Sequence, residues 1–346
     1  MSTALHHDSA RSTVANSGNT RDEFQALLSA CGIYDLSLRA KIAVTGGDRV
    51  RWLNGMVSNN VRDLTPGRGV YAFMLNSQGR IQADLYAFQR GDSLLIDTEG
   101  AQREKVLQIF DRYIIADDVE IADISDKLTA LGVSGPKARD VLRKAGIQFP
   151  DLAPLEFRSP LCDCACGCLE CVVLRGDDSE GASYEIWLAP DKLKSTWEAL
   201  VAAGAMAVGA EALELKRIRY GIPRYGVDIR ERDLPQETGQ ARALSFTKGC
   251  YLGQEIVERI RSRGAVHRQF GAFLPEGELP EAGTKILAVD EGDTQDKEVG
   301  EITSGAILPL AEGDRPVALG YLRREAARKH LRAGTATLNP ASLPII

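Results

Sequence analysis

Lys248-Gly249-Cys250-Tyr251-Leu252-Gly253-Gln254-Glu255 is the stretch from which this 346-residue chain is best read. Gly249 and Gly253 permit tight backbone, including positive φ. Lys248 sets a cation near the Cys250 thiol, and a nearby cation favours the thiolate. Gln254 and Glu255 open a helix that continues through Ile256 to Arg261. Two readings stand on these residues. One is a reactive thiol in an electropositive turn. The other is a plain turn into a helix, with Cys250 as a small buried hydrophobe.

Working outward, 70–76 reads as a strand, Ser77-Gln78-Gly79-Arg80 as a turn, and 81–89 as an alternating return strand. Further strands are expected at 41–45, 93–97, 119–123, 128–133 and 184–188. Helices are expected at 22–30, 102–113, 191–203 and 211–220. Two more follow Gly46-Gly47-Asp48, with Val50, Leu53 and Val57 buried, and Gly135-Pro136-Lys137. From about residue 269, short β-like runs (271–274, 285–289, 300–304, 317–321, 335–338) are punctuated by Gly, Pro and Glu. They suggest a small antiparallel barrel or sandwich. The fold class is therefore α+β. The expected division is a disordered polar tail (1–20), an α+β region (21–268), for which a family resemblance given below implies two interleaved lobes, and a C-terminal β-barrel module (269–346).

Composition narrows the classes of function. Hydrophobic residues make up 44% and charged residues 26% of the chain, which is ordinary for a globular protein. No run approaches the ~20 apolar residues of a membrane span. The N-terminal stretch lacks an apolar core of the secretory kind, so a cytoplasmic location and no membrane partner are expected. There is no phosphate-binding Gly-rich loop, no HExxH and no Ser-His-Asp signature. Outside the N-terminal tail the histidines are His267 and His330, a poor supply for His-based hydrolysis.

The KGCYLGQE segment resembles the KGCYxGQE signature of the YgfZ family, a branch of the glycine-cleavage T-protein superfamily. Other segments are similar to that superfamily in order: Gly32-Ile33-Tyr34-Asp35-Leu36-Ser37, then Lys41 to Asp48 (KIAVTGGD). Tyr71 to Asp84 (YAFMLNSQGRIQAD) and Ile218 to Val227 (IRYGIPRYGV) follow. The resemblance spans about residues 21–268. It implies a three-lobed ring around a central channel that holds a tetrahydrofolate-type cofactor. It also implies cofactor contacts from Tyr71, Asp84, Glu185, Arg217 and Tyr225, and a functional signature of Lys248, Gly249, Cys250, Tyr251, Gly253, Gln254 and Glu255. Cys250 would be the reactive residue, Lys248 its electrostatic neighbour, and Asp84 a carboxylate near the folate ring. A carboxylate such as Glu185 suits the paired N–H groups of a 2-aminopyrimidinone edge. Three positions depart from the superfamily pattern. Ala83 stands where a second acid is usual, Arg219 where a Glu is usual, and Tyr220 where an Ala is usual.

Five of the seven cysteines fall in ten residues: Cys162, Cys164, Cys166, Cys168 and Cys171. Period-two spacing puts four thiols on one face of a strand. A metal or iron–sulfur site, a redox-active patch and an inert strand of small residues are all compatible with it. Between Lys216 and Arg268 there are twelve Lys or Arg against six Asp or Glu, in a chain of net charge −6. That segment could attract RNA phosphates or a polyglutamate tail, or be a solvated basic face. The YgfZ resemblance implies a folate-binding accessory protein for iron–sulfur client enzymes, including tRNA-methylthiolating radical enzymes. The alternatives are a folate-dependent aminomethyl or one-carbon transferase and a Cys-rich metal or Fe–S carrier.

Overall fold

The computed structural model describes residues 19–159, 171–177, 183–264, 266–289 and 296–346. The expected tail up to residue 18, and Cys162, Cys164, Cys166 and Cys168, lie outside the described residues. The chain separates into two compact units. The first comprises 1–47, 65–69 and 88–212, and the second 48–64, 70–87 and 213–346.

The first unit contains a six-stranded sheet. Its order is Met206–Ala207, Gly32–Asp35, Thr129–Ser134, Ser183–Leu188, Val172–Arg175 and Phe157–Arg158. The first pair is parallel and the other pairs are antiparallel. Ile33, Leu131, Val133, Val173 and Ile186 face the Ala138–Lys144 and Leu193–Ala202 helices through Val141, Leu142 and Leu200, forming one core. Gly132 has a steric reason: a Cβ there would lie 2.0 Å from the Tyr34 ring. In the same unit Leu94–Thr98, Ala40–Thr45 and Glu120–Asp123 run antiparallel, with Lys41 directly across from Asp97.

The second unit contains the central residues of the Arg68–Leu75 and Ile81–Gln89 strands. The alternation read in the sequence is present: Ile81, Ala83 and Leu85 are buried, while Gln82, Asp84 and Tyr86 are half-buried. The C-terminal strands close into a barrel rather than a sandwich. Their order is Arg268–Glu276, Gly313–Arg323, Lys297–Leu310, Lys285–Val289, His330–Ala333 and Ala336–Ala341, which returns to Arg268–Glu276. Closure removes the exposed edges a six-stranded sheet would otherwise present. Three strands, Arg268–Glu276, Lys297–Leu310 and Gly313–Arg323, are more than twice their expected lengths. Lys297–Leu310 runs fourteen residues because a register shift between Ile302 and Ser304 lets it bend and continue. The short His330–Ala333 strand was not anticipated. The helix after Asp48 is present as Arg49–Met56, but Trp52 joins Leu53 in the interior while Val50 is only half-buried.

Candidate functional site

The KGCYLGQE segment belongs to the second unit, where the Tyr71–Asp84 hairpin also lies. Gly253 caps the Gln254–Arg263 helix with φ +83°. A Cβ there would stand 2.6 Å from the Asn76 carbonyl oxygen. Gly79, at φ +70°, has no room for a Cβ against Ile256. These two glycines therefore let the helix start sit directly on the hairpin turn. Gly249, by contrast, has no positive φ, and a Cβ there would meet nothing within 4 Å. Tyr251 is buried with Tyr71, Phe73, Leu75, Ile81 and Val257 in one cluster. Burial, with some effect of Glu258, raises its phenol to about 12.

Cys250 is exposed and unpaired, so the reading of it as a small buried hydrophobe is overturned. Lys248 points away from solvent instead. It is 6% exposed, and its Nζ donates to the carbonyls of Asn54 (2.5 Å), Val57 (2.6 Å) and Asn59 (2.7 Å). Three acceptors match the three donors of an ammonium. Burial, helped by Arg62, draws its pKa down to about 7, while the carbonyls favour the cation. Its electrostatic role is therefore exercised mainly on the 54–59 turn.

On the hairpin, the Tyr71 hydroxyl donates to Asp84 Oδ2 at 2.7 Å. Tyr71 is 5% exposed. Its pKa is raised well above normal, first by burial, then by the Asp84 and Tyr86 charges and the Asp84 hydrogen bond. The proton thus stays on Tyr71. Two residues with no sequence signal complete the arrangement. Arg242 places its guanidinium 4.5 Å from the Tyr71 ring centroid. Asn59 Nδ2 donates to the carbonyls of both Tyr71 and Arg242, each at 2.8 Å. Tyr225 donates its hydroxyl to the Gln82 carbonyl at 2.5 Å, beside the same strand. The result is a half-buried carboxylate on a strand, oriented by a phenol whose ring is covered by a cation.

Arg217 is engaged within the protein. Its guanidinium donates to both Glu214 oxygens, to the Ile222 carbonyl and to Asp228 Oδ2. Burial would lower its pKa, but Glu214 and Asp228 outweigh that and hold it charged. Asp228 is fully buried and also accepts from Arg224 N, Thr303 Oγ1 and Ser304 Oγ. This cluster joins the Ala210–Arg219 helix to a barrel strand.

Glu185 lies in the first unit, on the Ser183–Leu188 strand. Trp187 Nε1 donates to its Oε2 at 2.9 Å, and Oε1 accepts from no described residue. Burial raises the Glu185 pKa, and the Asp97 charge adds to it; Lys41, Arg39 and the Trp187 bond act the other way. Asp97 shows the opposite balance. Burial pushes it up, but Arg39 and Lys41 more than compensate and its pKa is lowered. Lys41, fully buried, pairs with Asp97, and Arg39 Nε is 2.6 Å from the other carboxylate oxygen. A carboxyl held toward its neutral form beside a charged ion pair is the sort of group a polar ligand edge can titrate.

Among the five clustered cysteines only Cys171 is described, and it is buried. Among the described residues no group of three or more His, Cys, Asp or Glu is placed to hold a metal ion. No described helix is long and apolar enough to cross a membrane.

A mixed α/β body with a closed six-stranded barrel, carrying a Tyr–Asp pair on a hairpin, defines the class of protein. A family model for the GCVT N-terminal domain matches residues 10–248, and the chain belongs to that family. A protein named aminomethyltransferase from Halothermothrix orenii is 28% identical over 316 residues, covering 88% of this chain and 84% of that protein. One of the same name from Rubrobacter xylanophilus is 29% identical over 306 residues, covering 88% and 79%. Among solved structures, the glycine cleavage system aminomethyltransferase T from Bartonella henselae superposes with a TM-score of 0.81. The alignment covers 95% of this chain and 90% of that one at 21% identity. The fold is T-protein-like.

Proposed function

We propose that this chain binds a tetrahydrofolate-type cofactor and acts as a folate-dependent aminomethyl or one-carbon transferase. The observation that carries the reading is the Tyr71–Asp84 pair with Arg242 over the ring. It stands on the hairpin where the resemblance expects the folate-facing carboxylate. The names of the relatives favour this transferase reading over the accessory one. Two carboxylates each suit a part of such a cofactor. Glu185 Oε1 is available to an N–H of a 2-aminopyrimidinone edge, and Asp84 is a half-buried acceptor held in orientation. A reduced folate supplies the nitrogen that takes up the one-carbon unit. Tyr71 keeps its proton and orients Asp84, Arg242 covers the Tyr71 ring, and Glu185 holds or releases a proton according to what it faces. Tyr225 supports the hairpin through the Gln82 carbonyl, while Arg217 is held by Glu214 and Asp228. The ring-and-channel arrangement and the 21–268 and 269–346 domains belong to the same proposal.

The test is calorimetric binding of tetrahydrofolate, followed by methylene-tetrahydrofolate formation from an aminomethyl donor. Wild type should bind in the micromolar range and turn over. Asp84→Asn should lose most turnover, and Glu185→Ala most affinity. Wild-type protein that binds no tetrahydrofolate overturns the reading. Membership of the YgfZ branch, with support of iron–sulfur enzymes through Cys250, is the second reading. It is favoured by the exposed thiol within KGCYLGQE and by Ala83 in place of the usual second acid. Binding without turnover, with a requirement for Cys250 in a client iron–sulfur enzyme assay, would select it.

A further inference from the structure

We propose that Lys248 is a positioning residue for the Tyr71–Asp84 pair and acts through Asn59. The proposal rests on the reading of Asp84 as the folate-facing carboxylate. Its physical basis is a continuous set of short contacts within one compact unit.

Three carbonyls of a single turn, Asn54, Val57 and Asn59, converge on the Lys248 ammonium within 2.7 Å. Converging carbonyl dipoles repel one another unless a cation sits among them. Without the ammonium the turn would have to open, because buried carbonyls without donors are costly. The same turn is bonded to the strand that carries Tyr71. Val57 bridges Met74, and Ser58 N donates to the Phe73 carbonyl at 2.9 Å. Ser58 Oγ accepts from Phe73 N, also at 2.9 Å. The third carbonyl held by Lys248 belongs to Asn59, whose side chain grips Tyr71 and Arg242 by their carbonyls. Tyr71 then donates to Asp84, and Arg242 covers the Tyr71 ring. A cation 177 positions away from Tyr71 in the sequence thereby determines where the Tyr71 hydroxyl points. A residue that only stapled the fold would need the first two carbonyls but not the Asn59 link.

The experiment uses the full-length chain labelled with 13Cζ-tyrosine, with the Tyr71 resonance assigned by Tyr71→Phe. Lys248→Met and Asn59→Ala should both shift that resonance in the same direction. The double variant should shift it no further than the larger single change. Tetrahydrofolate dissociation constants should follow the same rule. Each single variant should rise about tenfold, and the double about tenfold rather than a hundredfold. An unshifted Tyr71 resonance in folded Lys248→Met, or multiplicative losses in the double variant, overturns the proposal. If Lys248→Met does not fold, Asn59→Ala decides. It keeps the backbone carbonyl that Lys248 holds, so an unshifted Tyr71 signal there overturns the proposal by itself. Absence of folate binding in wild type would sink the functional reading while the tyrosine signal still decides this one.

Discussion

Asp97→Asn isolates the buried charge cluster of the first unit. Lys41 and Asp97 face each other across adjacent strands, and both side chains are almost wholly excluded from water. Arg39 retains Glu99 when Asp97 is neutralised, but Lys41 has no other ion-pair partner among the described residues. Removing one member of a buried ion pair costs about 3–5 kcal/mol, because the remaining charge is left uncompensated. Against a typical domain stability of about 5–15 kcal/mol this is a large fraction. Urea unfolding followed by far-UV circular dichroism should show a midpoint lower by roughly 1–5 M, taking an m-value of about 1–3 kcal/mol/M. The pH dependence supplies a second reading. The Asp97 pKa is lowered in the folded protein, so its stabilisation is present above the ordinary carboxyl pKa and lost as pH falls through the lowered value. Asp97→Asn should lack that acid limb. The loss of a like charge should also let Glu185 ionise more readily, since Asp97 helps to raise its pKa. Lys41→Met in the Asp97→Asn background should recover most of the stability, because no lone charge then remains buried. A cost below about 1 kcal/mol for Asp97→Asn, with an unchanged pH profile, would refute the reasoning.

Gly253→Ala should destabilise by roughly 2–4 kcal/mol, from a left-handed conformation and a clash with the Asn76 carbonyl, whereas Gly249→Ala should stay within about 1 kcal/mol; thermal melts of both compare them directly. Glu185→Gln should be more stable than wild type at pH 7–8 and equal to it near pH 4. A raised folded pKa means that stability falls as pH climbs from the ordinary carboxyl range through the raised value, and denaturation at several pH values reads the difference. Ser58→Ala should cost about 1–3 kcal/mol in the same melts, since it removes the donor to the Ala243 carbonyl and leaves the buried Phe73 N–H without its acceptor.

Local patterns were legible wherever the chain alternates or turns. The 81–89 strand emerged with the expected bounds, because one face of it is buried and period two shows that face. The turn into the signature helix was readable from its glycines, although only Gly253 uses positive φ. The barrel was visible as a set of short runs, but not its closure or the His330–Ala333 strand, since pairing partners are not encoded by spacing. The neighbours of Cys250 in sequence fit both an exposed and a buried thiol, and the fold exposes it.

Residue types, periodicity and ordered motifs were enough to place Tyr71 and Asp84 on one hairpin and Lys248 in a turn before a helix, because those features depend on neighbours within a few positions. The partners of these side chains depended on folding. Lys248 meets carbonyls 189 to 194 positions away, Lys41 meets Asp97 across 56, and Asn59 reaches Arg242 across 183. Strand register and turn placement bring such groups together, and burial then sets their charge states, so the chemistry of Glu185, Lys248 and Tyr71 exists only once the chain has closed around them.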